Sequence, residues 1–488
     1  MNRLVWPYAG LLLALAWPVL GVDVPVGVDT LAHIARVFVR AHIGTDPDLQ
    51  RLFVMQPALV PYLGLDWLMS PLARVMDPLQ LARAVTVALV WGTVLSVVVL
   101  QRVITGRLGL EPLAAGLVAY NAAVAWGFLS YVLGHILAVL GLAAWHAWRG
   151  WPAAWRLGMF SAVCVALYLT HLLALALYGG LVVLHALVEW RHGRAPGLVL
   201  VAQFVPAAAL LVAAIPPVPQ GALGILYNVP TSIIGAASPF IFRGGFGELE
   251  SGHLVLVLAL ATAYLLTRAG LLTWDPTLAP MAAVVAVVGL AMPVAAAGIS
   301  WVNLRLPLAA ACLAIAAMRY RGPPVLGVWL AGLVLLRVAD VGATMRGCAP
   351  HYAELRQAMA ALPRGVVLVP ILERHAATRA CSSLPIYQHI ANLVTLERSG
   401  VSTDIFTKTV SVHTRTTPAD REAVEMADAT PTDLGAYTLW MHMGARRSLP
   451  PGAAVLAAGS FFDLLRVTPP EDAIPGASSS APPAESAP

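Results

Sequence analysis

Long apolar stretches, interrupted by short polar connections, run along the chain from residue 5 to residue 341. A helix that crosses a membrane needs roughly 20 predominantly apolar residues, because each residue advances it by only about 1.5 Å. The pattern therefore predicts an α-helical polytopic membrane protein with about eleven transmembrane helices. We expect them near residues 5–22, 83–101, 112–127, 129–147, 156–170, 172–190, 196–215, 252–267, 277–297, 306–318 and 324–341.

Two apolar stretches, 112–147 and 156–190, are each too long for one ordinary crossing and short for two. The arginines at their ends decide between these interpretations. If each stretch forms a tight helical hairpin, six arginines lie on one side of the membrane, namely Arg102, Arg107, Arg149, Arg156, Arg191 and Arg194. Single crossings would divide these arginines between both sides, so the pattern favours two hairpins.

The distribution of arginine also predicts the orientation of the chain. The side that holds these six arginines also receives Arg3, Arg268, Arg319 and Arg321. It then holds ten arginines, whereas the two later loops of the other side hold only Arg243 and Arg305. Because cytoplasmic loops carry an excess of positive charge, we expect the N-terminus in the cytoplasm and the C-terminus outside.

Composition agrees with a membrane protein and argues against nucleic-acid binding. Of the 488 residues, 59% are apolar and only 11% are charged, too few to cover a soluble protein of this size. The net charge of +5 comes almost entirely from arginine, with Lys408 as the only lysine, and no basic run is present. We therefore expect no nucleic-acid partner.

Three regions differ from the membrane helices in composition. Residues 23–82 form an unusually long outer loop within a membrane domain of residues 1–344. Residues 345–468 carry shorter elements, which predict a small α/β domain outside the membrane. Its predicted elements are helices at Tyr352–Leu362 and Leu384–Arg398 and strands at Gly365–Ile371, Lys408–Thr414 and Ala453–Val467. The tail, 469–488, is rich in Pro, Ser and Ala and is predicted to be disordered.

The four cysteines divide into two pairs. Cys164 and Cys312 lie inside apolar segments and are interpreted as core thiols. Cys348 and Cys381 lie in the polar C-terminal part of the chain. If that part faces an oxidising compartment, the second pair can form a disulfide, and the sequence leaves this open.

The long outer loop carries the clearest candidate chemistry. Four polar residues are spaced 4, 3 and 4 apart and share one helix face, namely Asp29, His33, Arg36 and Arg40. The opposite face is apolar, which predicts a helix lying flat at the membrane surface. A second amphipathic segment, Leu63–Met76, carries Asp66.

This arrangement resembles the GT-C membrane glycosyltransferases, an α-helical superfamily with a long first outer loop and a C-terminal outer domain. The local resemblance lies in the stretches Gly27–Arg36, Tyr120-Asn121 and Trp126-Gly127-Phe128. It implies a bacterial inner-membrane enzyme that takes a sugar from a polyprenyl-phosphate donor. The acceptor would be an envelope glycan, lipid or protein at the outer face, among membrane lipids. Many members carry paired acids in this loop, whereas the acids of this chain stand singly. The resemblance does not require a cofactor, and it leaves open whether a divalent metal ion takes part.

Such a transfer needs a base for the acceptor hydroxyl and cations for the leaving phosphate. Asp29 is the first candidate base, since the family places an acid early in this loop; its alternative role is to cap the helix. Asp66 is the second candidate, with an ordinary surface position as the alternative. The candidate substrate-binding residues are His33, Arg36, His171, Arg243 and Arg305.

Each binding candidate also has a structural alternative. Arg305 enters the membrane after the third outer loop, where it binds phosphate or extends to lipid headgroups. His171, at a hairpin tip, and His33 contact substrate or serve as ordinary polar residues. Arg36 alternatively contacts anionic lipid. We expect Asp29, Asp66, Arg243 and Arg305 to converge on one cavity that opens to the outer side. The sequence shows no residue spacing typical of a metal site.

Two other classes of function remain open from the sequence. A transporter or flippase of lipid-linked sugars would usually show internal repeats and matching broken helices, and none is found here. A non-catalytic scaffold of the same fold is favoured by the single acids. A polysaccharide polymerase would more usually place its large outer loop in the middle of the chain.

Overall fold

The computed structural model describes most of the chain and is 64% helical. The described residues are 2–55, 59–194, 197–214, 224–243, 250–296, 299–372, 381–405, 412–414, 424–425, 436–442, 449 and 452–468. The predicted disordered tail, 469–488, and most of the predicted strand at 408–414 lie outside them.

Seventeen α-helices occur in the described residues. They are α1 Asn2–Leu20, α2 Thr30–His42, α3 Pro47–Leu52, α4 Leu63–Ala73, α5 Pro78–Thr105, α6 Ala122–Ala125, α7 Leu129–Ala147, α8 Ala153–Thr170, α9 Leu172–Arg191, α10 Val199–Ala202, α11 Val205–Ala214, α12 Val229–Gly235, α13 Ser251–Arg268, α14 Leu278–Leu290, α15 Leu306–Ala317, α16 Val325–Met359 and α17 Leu393–Arg398.

Thirteen short strands accompany them in the same part of the chain. They are β1 Phe53–Met55, β2 Ile225–Leu226, β3 Leu272–Trp274, β4 Ala295–Ala296, β5 Ile299–Ser300, β6 Met318–Tyr320, β7 Val367–Leu372, β8 Val401–Ser402, β9 Val412–Thr414, β10 Val424–Glu425, β11 Tyr437–Met441, β12 Ala453–Ala458 and β13 Phe462–Val467.

Six of the helices are long and apolar enough to cross a membrane, namely α5, α7, α8, α9, α13 and α16. Four shorter apolar helical segments lie at 4–20, 199–214, 278–290 and 302–317. The predicted class, a helical membrane protein with a small sheet region, is confirmed at this level.

The predicted helix at 112–127 is wrong. The structure replaces it with a 3-10 helix, Glu111–Leu117, and the single turn α6. Asn121 explains the break, because its side-chain oxygen accepts from the N–H groups of Ala123 and Val124 and starts a new helix. This irregular segment runs beside α1: Tyr8 donates to the Gly109 carbonyl at 2.8 Å, and Tyr120 donates to that of Leu15 at 2.5 Å.

Loops that the arginine distribution assigns to the cytoplasmic side lie together. Arg107 pairs with Glu111, and the Tyr320 N–H donates to the same carboxylate. Arg319 pairs with Asp275, and β3 is antiparallel to β6. Three of the loops that were predicted to share one side of the membrane are therefore neighbours in the structure.

The last membrane helix does not end where the apolar pattern ends. The separate helices predicted at 324–341 and Tyr352–Leu362 form one 35-residue helix, α16. Polar residues after 341 end its apolar character but not its hydrogen bonding, so the helix leads directly into the C-terminal domain. Cys348 and Cys381 form a disulfide, with 5.2 Å between their Cα atoms, which ties α16 to the following segment.

The C-terminal domain is built on a six-stranded sheet in the order β10-β7-β11-β13-β12, with β8 beside β7. The predicted strand at Gly365–Ile371 corresponds to β7, and that at Ala453–Val467 to the hairpin of β12 and β13. The central strand β11 was not predicted. The predicted helix at Leu384–Arg398 begins late, as a 3-10 turn at Ile390–Asn392 and then α17.

The long segment between α1 and α5 packs against the C-terminal domain. β1 pairs antiparallel with β9, and Arg364 binds Asp46 at 3.0 Å and Asp48 at 3.4 Å. The Arg51 guanidinium donates to the Gly365 carbonyl at 2.7 Å. The acids at 46 and 48 therefore join the two parts of the chain.

The helix α2, predicted to lie flat at the membrane surface, is buried on more than one face. Its inner residues, such as Leu31 and Ile34, are buried among the membrane helices. Its other face is covered by α4 and by the C-terminal domain. A second apolar cluster forms there from Ala35, Val39, Leu49, Leu52, Phe53, Val401 and Ile405.

Candidate functional site

Asp29 is held against the irregular segment that follows α6. The N–H groups of Val28 and Asp29 donate to the carbonyls of Ala125 and Trp126 at 3.2 and 3.0 Å. Gly127 makes this approach feasible, since its φ is +73° and a Cβ there would lie 2.8 Å from the Asp29 nitrogen. The stretches Gly27–Arg36 and Trp126-Gly127-Phe128 are therefore neighbours in space.

The Asp29 carboxylate does not cap α2. The residue occupies the N-cap position, but its side chain makes no capping hydrogen bond. One carboxylate oxygen instead lies 3.7 Å from Nε2 of His389, with the side chain 18% exposed. Burial raises the pKa of this carboxyl to about 6, against the opposing charges of His389 and Arg305. The capping alternative is thus wrong.

Arg305 is buried at the start of α15 rather than extended to lipid headgroups. Its carbonyl accepts from the Tyr131 hydroxyl at 2.6 Å, and its guanidinium lies over the Phe128 ring at 4.4 Å. Nη1 is 3.1 Å from Nε2 of His171, and Nη2 donates to the Ser300 carbonyl at 3.3 Å. Among the described residues, Nε of Arg305 has no hydrogen-bond partner.

His171 joins α8 and α9, as its predicted place at a hairpin tip requires. The Leu173 N–H donates to its Nδ1 at 3.1 Å, while Nη1 of Arg305 faces its Nε2. A neutral imidazole carries a proton on one of its two nitrogens. Each ring nitrogen of His171 faces an N–H donor, of Leu173 or of Arg305, yet only one of the two nitrogens can accept in the neutral ring. At the other nitrogen, two N–H donors therefore face each other.

Asp66 and Arg36 form an ion pair beside the site. Arg36 donates to both carboxylate oxygens, at 2.6 and 2.8 Å, and the two side chains are 2% and 0% exposed. The alternatives that place Asp66 on a surface and Arg36 against lipid are therefore wrong. Both oxygens of Asp66 are engaged, so Asp29 is the better placed of the two candidate bases.

His33 lies between this ion pair and the Asp29 region. Its Nδ1 is 3.1 Å from Nη2 of Arg36. Burial, followed by the positive charges of Arg36 and His389, lowers the pKa of His33 well below its usual value. A neutral imidazole therefore stands one helical turn from Asp29.

Arg243 does not join this group. Its N–H donates to Glu250 at 2.7 Å, and its carbonyl accepts from the hydroxyls of Ser382 and Ser383. In the described part of the chain, no hydrogen bond or ion pair connects Arg243 with Asp29 or Arg305. Of the four residues predicted to converge, Arg305 acts electrostatically on Asp29, while Asp66 is engaged by Arg36.

The C-terminal domain contributes two residues that sequence reasoning missed. His389 lies between Asp29 and Asp404, with its Nδ1 3.3 Å from an oxygen of Asp404. Burial opposes protonation of His389, but Asp404 and then Asp29 outweigh it and raise its pKa. The sequence pattern predicted only a helix at Leu384–Arg398, and no motif or spacing marked His389 or Asp404.

Aromatic rings border the same region. Trp126 and Trp301 are 4.9 Å apart, and Phe128 lies 6.0 Å from Trp126. Trp301 has a φ of 57°, a left-handed conformation that is costly for a residue with a Cβ. Strained residues of this kind concentrate at functional sites.

The described residues contain no group of three or more His, Cys, Asp or Glu placed to hold a metal ion. The fold is that of a helical membrane protein in which Asp29 contacts His389 of the C-terminal domain, and Arg305 contacts His171 between the helices. Comparison with protein-family models, curated proteins and solved structures found no match.

Proposed function

We propose that the chain is a GT-C-like membrane glycosyltransferase. It transfers a sugar from a polyprenyl-phosphate donor to an envelope glycan, lipid or protein at the outer face of a bacterial inner membrane. The observation that supports the proposal is a partly exposed carboxylate, Asp29, within the electrostatic reach of a buried cation, Arg305, whose Nε has no hydrogen-bond partner among the described residues.

The proposed topology has eleven crossings, with the irregular segment 111–127 as the third. Non-helical backbone is tolerated at membrane depth only where protein surrounds it, and residues 111–125 are all buried. The N-terminus is cytoplasmic and the C-terminal domain is outside. The disulfide between Cys348 and Cys381 supports this side, because such bonds persist in oxidising compartments.

The donor phosphate binds at Arg305 and His171. A phosphate oxygen that accepts from both the guanidinium and Nε2–H of His171 removes the conflict between their two donors. The Phe128 and Tyr131 rings hold the guanidinium in place, so little rotamer freedom is lost on binding. Membrane lipids flank the prenyl tail.

Asp29 is the general base. The acceptor oxygen attacks the anomeric carbon while its proton moves to the Asp29 carboxylate. The bond between the anomeric carbon and the phosphate oxygen breaks, and its electron pair leaves with the polyprenyl phosphate. Arg305 and His171 stabilise the charge that develops there.

The other predicted site residues hold this arrangement. Arg36 and Asp66 fix α2 against α4, and His33 fills the space between that pair and the base. Arg243 lies at the outer edge of the proposed site, where its carbonyl accepts from the hydroxyls of Ser382 and Ser383.

Binding of undecaprenyl phosphate to the purified chain in nanodiscs tests the phosphate site. Arg305→Ala should weaken binding by about 10- to 100-fold, the loss of a charge-assisted contact of about 1.5–3 kcal/mol. Arg305→Lys should restore part of it, since a point charge replaces a bidentate fork. Arg321→Ala, which removes an exposed arginine elsewhere, is the control and should leave binding unchanged.

Transfer is then measured with a panel of undecaprenyl-phosphate-linked sugars. Equal affinity in Arg305→Ala and the unmodified chain would count against the phosphate site. Movement of the sugar-lipid across vesicles without transfer would instead favour a transporter. Binding without either activity would favour a non-catalytic scaffold.

A further inference from the structure

One side chain of the C-terminal domain reaches the carboxylate in the membrane part. His389 is 6% exposed and directly precedes the 3-10 turn Ile390–Asn392, which packs against α2. Its Nε2 lies 3.7 Å from Asp29, and its Nδ1 lies 3.3 Å from Asp404. The three groups form a line of carboxylate, imidazole and carboxylate across the boundary between the two parts.

We propose that His389 is a positioning residue that, held by Asp404, orients the Asp29 carboxylate and keeps it ionised, so the C-terminal domain completes the site. This inference rests on the proposed role of Asp29 as a base. It assigns the domain a part in the reaction rather than in attachment alone.

Asp404 is itself fixed in one orientation. Its Oδ1 accepts from the Asn392 amide at 3.1 Å and from the Ser402 hydroxyl, which leaves Oδ2 towards Nδ1 of His389. A carboxylate on one ring nitrogen sets the direction of the other, as in many histidine sites. Nε2 of His389 then faces Asp29, at 3.7 Å from its carboxylate.

Charged and titratable groups around the pair favour an imidazolium between two carboxylates. Asp404 faces His389 from the loop after β8, and Asp29 faces it from the start of α2. His33 stands on α2, with the cation Arg36 beyond it, and Arg305 acts on Asp29 from α15. His33 is neutral, so the nearest charges to His389 are the two carboxylates.

The segment that carries His389 is anchored at several points. The Cys348–Cys381 disulfide holds its start to α16, and the Tyr387 hydroxyl lies 2.5 Å from Nδ1 of His351 on the same helix. The Tyr387 ring stacks on Phe461 at 4.6 Å. This support fixes the imidazole relative to the membrane helices, as a positioning role requires.

Attachment of the domain does not require this buried group. The ion pair of Arg364 with Asp46 and Asp48 joins the same two parts, with Arg364 60% exposed. A buried charged group is costly unless its partners compensate, and an apolar side chain would seal the boundary as well. Packing alone therefore does not explain why a histidine is buried at this position, whereas its contact with Asp29 does.

Infrared difference spectroscopy of the full chain in nanodiscs tests the coupling without any substrate. The protonated Asp29 carboxyl is identified as the band that Asp29→Asn removes, and its intensity is followed against pH. In His389→Gln the midpoint of that band should rise by about one pH unit or more, because a cation beside the carboxylate is lost. Asp404→Asn, which keeps size and hydrogen bonding, should move the midpoint in the same direction.

His42→Gln is the matched control, because His42 lies on α2 with its ring at the Phe38 carbonyl, away from Asp29. Its midpoint should equal that of the unmodified chain. Midpoints unchanged in His389→Gln, or in Asp404→Asn if the first variant does not fold, would overturn the inference. Where transfer is measurable, the acid limb of its pH profile should shift by the same amount. A shifted band in a chain that transfers no sugar would refute the glycosyltransferase and leave the coupling standing.

Discussion

Burial and charge act in opposite directions on Asp29. The carboxylate is taken out of water between α2, the irregular segment and the C-terminal domain, which favours its protonated form. His389 and Arg305 restore part of the preference for the ionised form. The result, a pKa of about 6, suits a group that must accept a proton at neutral pH and release it afterwards.

The transfer rate should therefore depend on pH through Asp29. An ionised base is required, so activity should rise as pH increases through about 6 and fall below it, instead of persisting to pH 4 as for an ordinary aspartate. A pH series of transfer at saturating donor checks this. An acid limb at or below pH 4 would contradict the assigned environment.

Replacing the carboxylate with its amide separates base function from binding. Asp29→Asn should lower turnover by roughly 100-fold or more, while undecaprenyl phosphate binding stays within about twofold. Paired transfer and binding assays measure both effects. Full transfer in Asp29→Asn would remove Asp29 from the role of base.

At the residue scale, Asp29 was selected by its place early in the first loop, as the family resemblance implies, and Arg305 by its place where the third loop re-enters the membrane. It did not identify His389 or Asp404. Those two come close to Asp29 only through the docking of the C-terminal domain, and no spacing along the chain reports that contact. The burial of Arg36 and Asp66 was likewise set by the tertiary pairing of α2 with α4.

At the scale of the elements, α16 is one continuous helix whose first half is apolar and whose second half is polar. It carries a buried arginine, Arg337. Arg337 is 0% exposed, donates to the Tyr120 carbonyl at 3.1 Å and lies 3.6 Å from both Glu250 and Asp340. Glu250 also accepts from the N–H groups of Phe242 and Arg243. This cluster joins α13, α16 and the irregular segment.

Arg337→Ala should destabilise the protein by about 3–5 kcal/mol, because a buried acid loses its partner. Arg346→Ala is the control on the same helix, where an exposed guanidinium lies over the Trp17 ring, and it should cost about 1 kcal/mol or less. Unfolding in a detergent series measures both variants. Equal stability of the two would mean that the cluster contributes little.

Element prediction succeeded where one signal dominated. Hydropathy located α5, α7, α8, α9 and α13, whose apolar runs are long and uninterrupted. It gave the wrong element at 112–127, where composition is apolar but Asn121 redirects the backbone hydrogen bonds. It also ended α16 too early, because hydropathy marks the membrane boundary and not the end of a helix.

At the scale of the whole molecule, the segment between α1 and α5 is joined to the C-terminal domain. β1 and β9 share a sheet, and Arg364 connects Asp46 and Asp48 to the domain. The predicted domain boundary between residues 344 and 345 lies within a continuous helix, and the start of α2 contacts the domain through Asp29 and His389.

Membrane sidedness is tested with single cysteines at exposed positions. Leu456→Cys, in the C-terminal domain, should react with an impermeant maleimide in intact cells. Arg149→Cys and Arg191→Cys should react only after lysis, since the arginine distribution places them in the cytoplasm. The opposite pattern would reverse the proposed orientation and place Asp29 on the cytoplasmic side.

The irregular segment beside α1 also constrains how the protein is made. A nascent stretch whose backbone N–H and C=O groups are not all paired internally cannot rest alone in lipid, where each unpaired group costs several kcal/mol. In residues 111–127, two carbonyls accept from the N–H groups of Val28 and Asp29, which are synthesised earlier. The Ala122 N–H and the Tyr120 carbonyl instead find their partners in Ser238 and Arg337, which are synthesised later. If this segment crosses the membrane as proposed, we expect its backbone to need protection from lipid until α16 has been made.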